Sequence, residues 1–292
     1  MTNESHHCED FGEQHVDAEK SRARPDPRTD IHFRSELMRR LKSRPVTTEL
    51  QPSSGVVPRV IVQYWDDLDH VPPDVAKCMK SWAVLDAQGF QIELFDDRTA
   101  RDYIAIHYDS SYVRAFDACP HPAMRSDYFR LCYIVKNGGI YVDADDMYTG
   151  ADIRPFLRDS QLRVQALCYD IPNDTMIDLR SAPQVDEHHG ERIYYVNNNP
   201  LLAPPGHPVL INALRSSTTA ILEHNGGPVD VQSTTGPGNL TLALAVYALA
   251  REAANQTLDV EIITNWDDFG LTQWPLDYRY DERNWRLWRH GA

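Results

Sequence analysis

The chain has 292 residues and a formal net charge of -14 at pH 7. A chain of this length normally buries one large core, or one core with an appended subdomain. The acidic surplus argues against a nucleic acid or an anionic membrane surface as partner, because both require a surplus of Lys and Arg on some face.

Cysteine usage and apolar runs bear on the compartment. The five cysteines are widely spaced and form no Cys-x-x-Cys pair, which indicates reduced thiols rather than a disulfide frame or a zinc site. The longest apolar run, residues 240–250, has 11 residues, short of the roughly 20 that a bilayer span needs. Residues 1–30 lack the apolar core of a secretory signal. We therefore expect a cytoplasmic protein without a membrane span.

The first 55 residues differ in composition from the rest of the chain. Residues 1–55 are rich in charge, His, Pro and Ser, and cannot bury enough apolar area to offset their ordering entropy. We expect a flexible tail here, with one short helix near residues 35–41. From Val56 onward the chain becomes apolar and β-branched, as in the first buried strand of a parallel sheet. The predicted domain therefore covers residues 56–292.

Helix and strand signals alternate after this first strand. A Pro-Pro-Asp sequence opens a helix over residues 72–82, where proline in the first turn removes no hydrogen bond. A strand is predicted over 90–94 and a helix over 97–106. The clearest helix covers 123–136 and is ended by Asn-Gly. This alternation predicts an α/β fold with a mostly parallel central sheet flanked by helices.

The pattern loosens beyond residue 150. Residues 171–192 are rich in His and Pro and form an irregular excursion, which suits either an acceptor-facing loop or a plain surface insertion. The remaining predicted elements are strands over 162–168 and 193–196, a helix over 208–224, a loop over 234–238 and a helix over 240–253.

The strongest chemical signal directly follows the clearest helix. Residues 138–146 read Gly-Gly-Ile-Tyr-Val-Asp-Ala-Asp-Asp, an apolar strand that ends in Asp143 and Asp145. Two carboxylates at the carboxyl end of a buried strand are costly to desolvate unless a cation or hydrogen-bond donors offset their charge. An oxygen-only pair suits Mg²⁺ or Mn²⁺ bridging a diphosphate. The sequence therefore predicts a metal site at Asp143 and Asp145.

Two motifs at a fixed spacing resemble a known family. Residues 126–130 read Ser-Asp-Tyr-Phe-Arg, and residues 138–145 read Gly-Gly-Ile-Tyr-Val-Asp-Ala-Asp. The pair resembles the sugar-binding region of family 32 glycosyltransferases and, more distantly, the glucosylating domain of large bacterial toxins. A bare Asp-x-Asp (DXD) is a weak signal, whereas the helix motif at this spacing makes the combination specific. The resemblance implies the nucleotide-sugar-binding fold called GT-A.

The resemblance also implies roles for the motif residues. Asp145 should ligate the metal directly, and Asp143 should contact ribose or donor sugar and reach the metal directly or through water. Asp127 and Arg130 lie at i and i+3 on one helix face and should hold donor-sugar hydroxyls, with Tyr141 in the same donor site. An ordinary exposed ion pair is the alternative for Asp127 and Arg130.

Three further regions resemble parts of the donor site. Trp65 ends the first strand in a Pro-x-x-Ile-x-x-x-Trp pattern and should stack on the nucleobase, unless it is a core tryptophan. Asn198 should reach the donor sugar or the reaction centre, unless the three asparagines only make a turn. Gly236 lies in a Thr-Gly-Pro loop that lets backbone approach the ligand.

The C-terminal segment is the last candidate. Related enzymes close the diphosphate with a C-terminal His or Trp segment, which makes Trp288 a donor-binding candidate. Arg286, Arg289 or His290 could neutralise the leaving phosphate. The chain lacks the common His-x-x-x-x-Ser-Trp order, and a packed aromatic tail is the alternative.

Together these features predict a metal-dependent hexosyltransferase, and the resemblance implies that it retains the anomeric configuration. The catalytic candidates are Asp127, Arg130 and Asn198, and the cofactors are Mn²⁺ or Mg²⁺. The donor is a nucleoside diphosphate sugar, taken as a UDP-sugar, and the acceptor is a hydroxyl of a saccharide or small metabolite. Two alternatives remain open: a non-catalytic protein that binds sugar nucleotides, and an effector that glycosylates a protein side chain.

Overall fold

The computed structural model describes residues 25–44, 56–180 and 190–288. Within these ranges the chain forms eight α-helices and nine β-strands, with short 3-10 turns between them. The helices are α1 Ile31–Lys42, α2 Pro73–Trp82, α3 Asp97–His107, α4 Ser110–Asp117, α5 Pro122–Asn137, α6 Pro208–Leu222, α7 Val231–Thr234 and α8 Pro237–Ala253. The strands are β1 Val60–Tyr64, β2 Gln91–Phe95, β3 Gly139–Tyr141, β4 Asp146–Tyr148, β5 Leu162–Asp170, β6 Thr175–Met176, β7 Arg192–Ala203, β8 Val260–Ile263 and β9 Gly270–Thr272.

Seven strands form one central sheet, so the predicted α/β class is confirmed. The strand order is β2-β1-β3-β7-β5-β6, with β8 beside β5. The pairs β1–β2, β1–β3 and β5–β8 are parallel. The pairs β3–β7, β5–β7 and β5–β6 are antiparallel. β4 and β9 form a separate antiparallel ribbon.

The expectation of a mostly parallel sheet is therefore wrong in its second half, where the sheet is mixed. The reason lies in the excursion between β5 and β7. The described part of this connection contains a short strand, β6, and no helix. Parallel neighbours need a crossover connection, usually a helix, whereas antiparallel strands can be joined by a loop. β7 therefore returns antiparallel to β5 and pairs with β3 on its other side.

Alternate residues of β1 and β3 face opposite sides of the sheet, as the period of a strand requires. Val62 and Tyr141 pack on one side with the buried residues of α5, α6 and α8. Ile61 and Ile140 pack on the other side with a cluster that includes Trp82. All four of these strand residues are buried. The predicted buried first strand is thus confirmed as β1, between β2 and β3.

The short helix predicted within the N-terminal tail is present as α1. Its residues Leu37, Met38 and Leu41 are buried in the larger core cluster. The Tyr194 N–H of β7 donates to Ser35 Oγ at 2.8 Å. This part of the predicted tail therefore packs against the domain. Residues 1–24 and 45–55 lie outside the described residues, and the boundary at residue 56 stays a prediction.

Helix α5 is confirmed almost to its predicted ends. The His121 side chain accepts from the Ala123 N–H at the start of the helix, and proline occupies the first turn. Gly138 ends the helix with φ 69° and ψ -166°, a backbone conformation that essentially only glycine adopts. A β-carbon on Gly138 would lie 2.7 Å from the Pro205 nitrogen and 2.8 Å from the Ala203 carbonyl oxygen. Gly138 thus lets α5 turn directly into β3.

No helix in the described ranges is both long and apolar enough to cross a bilayer.

Gly138→Ala should lower the free energy of unfolding by about 3 kcal/mol or more. Two effects destabilise the folded variant together: strain in the backbone at residue 138 and a clash of the new β-carbon with fixed backbone atoms. The matched control is Gly206→Ala. Gly206 also has a positive φ of 75°, but a β-carbon there would meet nothing within 4 Å. The control should lose only about 1 to 2 kcal/mol from strain. Urea unfolding of the two variants checks the comparison, and equal losses would contradict the proposed close approach at Gly138.

Candidate functional site

Three aspartates follow β3 within four positions, and their surroundings differ. The side chain of Asp143 is 33 % exposed and that of Asp145 is 11 % exposed. Asp146 is completely buried. β1 and β3 are parallel neighbours, so Trp65, which follows β1, and Asp143 lie at the same edge of the sheet. Asp143 and Asp145 therefore follow the end of a buried strand, β3, as the sequence predicts.

Arg130 of α5 places a buried guanidinium group beside these carboxylates. Its Nη1 donates to the Asn198 carbonyl oxygen at 2.7 Å. Its Nη2 lies 2.9 Å from Asp143 Oδ1 and 3.0 Å from Asp127 Oδ1. The guanidinium also lies over the Tyr141 ring, 4.4 Å from the centroid. The alternative of an exposed ion pair is ruled out, because Arg130 and Asp127 are both buried.

Asp127 is held on both carboxylate oxygens. Asn198 Nδ2 donates to Oδ1 at 2.8 Å, and the Thr235 hydroxyl donates to Oδ2 at 3.2 Å. Burial raises the pKa of Asp127, while Arg130, Asn198 and Thr235 act in the opposite direction. The structure therefore brings together the three catalytic candidates Asp127, Arg130 and Asn198. It adds the Thr235 hydroxyl, whose role the Thr-Gly-Pro motif did not reveal.

Asp143 is the strand-end carboxylate that contacts Arg130 of α5. Besides Arg130, it is fixed by its own backbone N–H, which donates to Asn199 Oδ1 at 3.0 Å. Burial raises the pKa of Asp143 to about 6, against the opposing effect of Arg130 and with a further increase from Asp145 and Asp127. A carboxylate crowded by others in this way is stabilised in its charged form by any added cation.

Asp145 is held by two residues that the sequence did not suggest. The Tyr278 hydroxyl donates to Asp145 Oδ2 at 2.6 Å. Arg279 Nη2 donates to the same oxygen. Both residues belong to the 3-10 turn Asp277–Tyr280, far along the chain and outside any recognisable motif. No signal in the sequence points to them.

Asp146 has a structural role that sequence reasoning also missed. Its carboxyl group accepts from Thr272 Oγ1 at 2.6 Å and from Asn199 Nδ2 at 2.9 Å, and Trp266 Nε1 lies 3.5 Å away. Burial raises the pKa of Asp146 to about 8, with further increases from Asp145 and Asp143. Its position directly after the DXD motif was the one available signal.

The donor set fits a divalent cation only in part. The described residues contain no group of three or more His, Cys, Asp or Glu side chains able to hold a metal ion. Asp143 Oδ2 and Asp145 Oδ1 each lack a hydrogen-bond donor among the described residues. Mg²⁺ commonly takes one or two carboxylates and completes its shell with substrate phosphates and water. Asp143 and Asp145 fit a cation of that kind, in which the diphosphate supplies the missing ligands.

Trp65 lies where the sequence places it, directly after β1. Its N–H donates to the Phe95 carbonyl oxygen at 3.0 Å. Its ring meets the edge of the Tyr278 ring at 5.2 Å between centroids. The ring is partly buried against a small cluster that includes Val75 and Met79. Trp65 therefore adjoins the turn that holds Asp145, and base stacking remains a prediction.

The other two donor-binding candidates have packing roles in the structure. Gly236 is buried, and a β-carbon there would lie 3.1 Å from both Gln232 Cα and the Val231 carbonyl oxygen. Close approach to α7 therefore explains the glycine. Trp288 packs against His121 at the start of α5, with 5.2 Å between ring centroids. Contact of either residue with a donor stays a prediction.

The predicted C-terminal cations are only partly described. Arg286 lies over the Trp285 ring, 4.7 Å from its centroid. Arg289 and His290 lie outside the described residues.

Comparison with known proteins bears directly on this site. Residues 72–157 match the family model described as "Glycosyltransferase sugar-binding region containing DXD motif". This segment contains α5, β3 and all three aspartates of the strand end. For this segment, the resemblance predicted from the two motifs to the sugar-binding region of DXD-containing glycosyltransferases is therefore confirmed. The GT-A fold stays a prediction.

Two curated relatives are each 24% identical to the chain over the aligned part. The initiation-specific alpha-1,6-mannosyltransferase of Schizosaccharomyces pombe aligns over 208 residues, which cover 67% of this chain and 50% of the relative. An uncharacterized glycosyltransferase of Acanthamoeba polyphaga mimivirus aligns over 91 residues, 31% of this chain and 36% of the relative. The chain thus spans half or less of the length of these relatives.

One solved structure found by the comparison is titled "PaToxG Glycosyltransferase". It shares 13% sequence identity with the chain and gives a TM-score of 0.44. The superposition covers 88% of this chain and 92% of the other.

Asp146→Asn should match or exceed the stability of the unaltered protein near pH 7.5. The carboxyl group, with its pKa of about 8, is mostly protonated there in the folded state. An amide can accept from Asn199 and donate to the Thr272 oxygen. Asp146→Ala should lose about 3 kcal/mol, because it leaves the buried donors of Asn199 and Trp266 without their partner. Chemical unfolding of both variants checks the contrast, and equal destabilisation would contradict a neutral Asp146.

The pH dependence gives a second readout for Asp146. A carboxyl group whose pKa is raised on folding contributes stability that is fully present below the unfolded pKa and is lost as pH rises through the folded pKa. Between pH 5 and 8, Asp146→Asn should therefore gain on the unaltered protein by up to about 1.4 kcal/mol per pH unit. A constant difference across this range would show that Asp146 is ionised in the folded state.

Proposed function

We propose that the protein transfers a hexose from a nucleoside diphosphate sugar to a hydroxyl group of a saccharide or small metabolite. The observation that carries the proposal is the contact of Arg130 with both Asp127 and Asp143. This contact connects Asp127 and Arg130 of α5, which are expected to bind the sugar, with Asp143 at the strand end, which is expected to bind the diphosphate. A donor substrate has these two parts side by side.

The residues of the site divide the work of binding the donor. Asp143 and Asp145 would hold Mg²⁺ or Mn²⁺, which when bound supplies positive charge to the diphosphate as the glycosidic bond breaks. Asp127 offers a carboxylate fixed by Asn198 and Thr235, which suits selective hydrogen bonds to sugar hydroxyls.

A retaining transfer is the proposed stereochemical course. Both oxygens of Asp127 are already engaged by Asn198, Arg130 and Thr235, which suits orientation of a sugar better than nucleophilic attack. In the proposed course the acceptor hydroxyl attacks from the face that the diphosphate leaves. The leaving phosphate then assists in removing the acceptor proton.

The donor is proposed to be a UDP-sugar, with GDP-sugars as the comparison. Mannose belongs in the sugar panel, because one of the relatives is named as a mannosyltransferase.

Calorimetric titration of UDP, GDP and their glucose, galactose and mannose conjugates, with and without Mn²⁺, tests the proposal. Binding of one donor that requires Mn²⁺, with slow release of nucleotide, is the expected result. If none of these donors binds, the proposal fails in favour of a protein with another ligand. Binding without any turnover on saccharide, metabolite or protein acceptors would favour a non-catalytic binding protein.

Asp145→Asn should lower kcat/KM by about a hundredfold or more in the presence of Mn²⁺, because it removes the charge that would hold the cation. Asp117→Asn is the control, since Asp117 forms an exposed ion pair with Arg101 on another part of the surface. Steady-state assays with the donor found by titration measure both variants. Full turnover by Asp145→Asn would remove Asp145 from the metal site.

Donor binding in the presence of Mn²⁺ should weaken as the pH falls below about 6, the pKa to which burial raises Asp143. Only the ionised carboxylate can bind a cation, so the affinity should fall by up to about tenfold per pH unit below that value. Titrations from pH 5 to 8 measure the dependence. Asp143→Asn should bind weakly and lose the inflection, and an unchanged inflection in this variant would assign it to another group.

Trp65→Ala should weaken nucleotide binding by the equivalent of about 1 to 3 kcal/mol, the usual contribution of base stacking on an aromatic ring. Trp65→Phe keeps a ring face and should retain most of the affinity. Titration with the nucleoside diphosphate alone separates this effect from sugar binding. Equal affinity for the Ala variant and the unaltered protein would leave Trp65 a packing residue.

A further inference from the structure

Two guanidinium groups contact the carboxylates of the strand end, and they are held very differently. Arg130 comes from the interior of α5 and donates to the Asn198 carbonyl, Ser126 and Asp143 while lying over Tyr141. Removing it would leave several buried acceptors unpaired. Arg130 is therefore a fixed part of the framework.

Arg279 is held by one carboxylate. Its side chain donates to Asp145 Oδ2 and to no other acceptor among the described residues. The residue is only 9% exposed, yet its Nε has no hydrogen-bond partner in the part of the chain that the structure describes. The guanidinium is further supported by two rings, with its carbon 3.7 Å from the Trp274 centroid and 5.3 Å from the Tyr278 centroid. Trp274 itself is 62% exposed. Arg279 thus sits on a surface ring with part of its donor capacity unused.

The unused donor has a specific geometry. The Nε and Nη2 of a guanidinium form one edge that matches two oxygens of a carboxylate or a phosphate. In Arg279 the Nη2 of this edge is paired with Asp145, and the Nε has no partner among the described residues. The Nε of Arg130 is also unpaired among these residues, but its Nη1 and Nη2 donate to Asn198, Ser126 and Asp143, which fix that guanidinium in place. The edge of Arg279 is therefore half occupied, and a group with two acceptor oxygens would complete it.

The carboxylate held by Arg279 is the one expected to ligate the cation. A divalent cation on Asp145 would share that carboxylate with the Arg279 guanidinium. Like charges on one buried carboxylate repel, because little water lies between them to screen the interaction. Arg279 is the more readily displaced of the two guanidinium groups, since Asp145 is its one hydrogen-bond partner among the described residues.

We propose that Arg279 is an exchanging residue of the donor site: it neutralises Asp145 in the free protein and transfers its Nε/Nη2 edge to the donor diphosphate when cation and nucleotide bind. The inference rests on the proposed function for the identity of the phosphate ligand. Its first half, the competition between Arg279 and a cation for Asp145, depends on the protein alone.

The exchange predicts effects of opposite sign for the two ligands. Arg279→Gln should bind free Mn²⁺ at least about threefold more tightly than the unaltered protein, because a competing positive charge is gone. The same variant should bind UDP or GDP with Mn²⁺ at least about tenfold more weakly, because a charged phosphate contact is lost. A residue that only stabilises the fold would not change the two affinities in opposite directions.

Free Mn²⁺ is measured by its electron paramagnetic resonance signal as protein is added, and the nucleotide by calorimetry at saturating Mn²⁺. Arg279→Lys keeps the charge without the planar edge. It should therefore bind free Mn²⁺ as weakly as the unaltered protein does, and it should bind the nucleotide as weakly as Arg279→Gln does. Arg283→Gln is the control for net charge, because Arg283 pairs with Asp281 on the same segment. It should change neither affinity by more than about twofold. Thermal unfolding confirms that each variant is folded.

Unchanged affinity of Arg279→Gln for free Mn²⁺ would overturn the competition. Tighter Mn²⁺ binding with undiminished nucleotide affinity would overturn the transfer to phosphate. Failure of the unaltered protein to bind any nucleotide would refute the proposed function and the phosphate half of the inference, while the Mn²⁺ comparison would still decide the competition. The two failures are therefore distinguishable.

Discussion

The buried guanidinium of Arg130 is the interaction on which the site depends. Asp127, Asp143 and the Asn198 carbonyl all contact it, and they come from α5, the end of β3 and β7. Without this charge, Asp127 would be a buried anion whose remaining donors are neutral, a situation that costs several kcal/mol. Arg130 therefore fixes how a helix and two strands meet, and in doing so sets the position of every candidate donor-binding carboxylate except Asp145.

The strand end carries three adjacent carboxylates, which can coexist because each is stabilised by different means. Asp143 is paired with Arg130 and remains partly exposed, Asp145 is paired with Arg279, and Asp146 is surrounded by neutral donors. Burial raises the pKa of Asp146 to about 8, with further increases from Asp145 and Asp143. The uncharged carboxyl group of Asp146 holds this part of the chain in place. The side chains of Asp143 and Asp145 therefore extend from a fixed position.

Much of this arrangement is predictable from local sequence, and the rest depends on contacts that local sequence does not contain. The helical spacing of α5, the turn at Gly138 and the strand before Asp143 are short-range patterns, so their prediction was reliable. Strand direction is not encoded in the apolar pattern of β5 or β7, and so the mixed sheet was missed. Arg279 contacts Asp145 across 134 positions, without a motif of its own.

The ribbon of β4 and β9 explains how so distant a segment reaches the site. β9 pairs with β4, which begins at Asp146, and the Gln273 N–H donates to the Asp145 carbonyl oxygen at 3.1 Å. One consequence is that the Thr272 hydroxyl reaches the buried carboxyl group of Asp146. A second is that Arg279, a few residues later, reaches Asp145 from a surface turn supported by Trp274. The same segment therefore supplies a fixed partner to the buried carboxyl group of Asp146 and an exchangeable partner to Asp145. The proposed exchange needs only movement of the Arg279 side chain, and the ribbon of β4 and β9 stays paired.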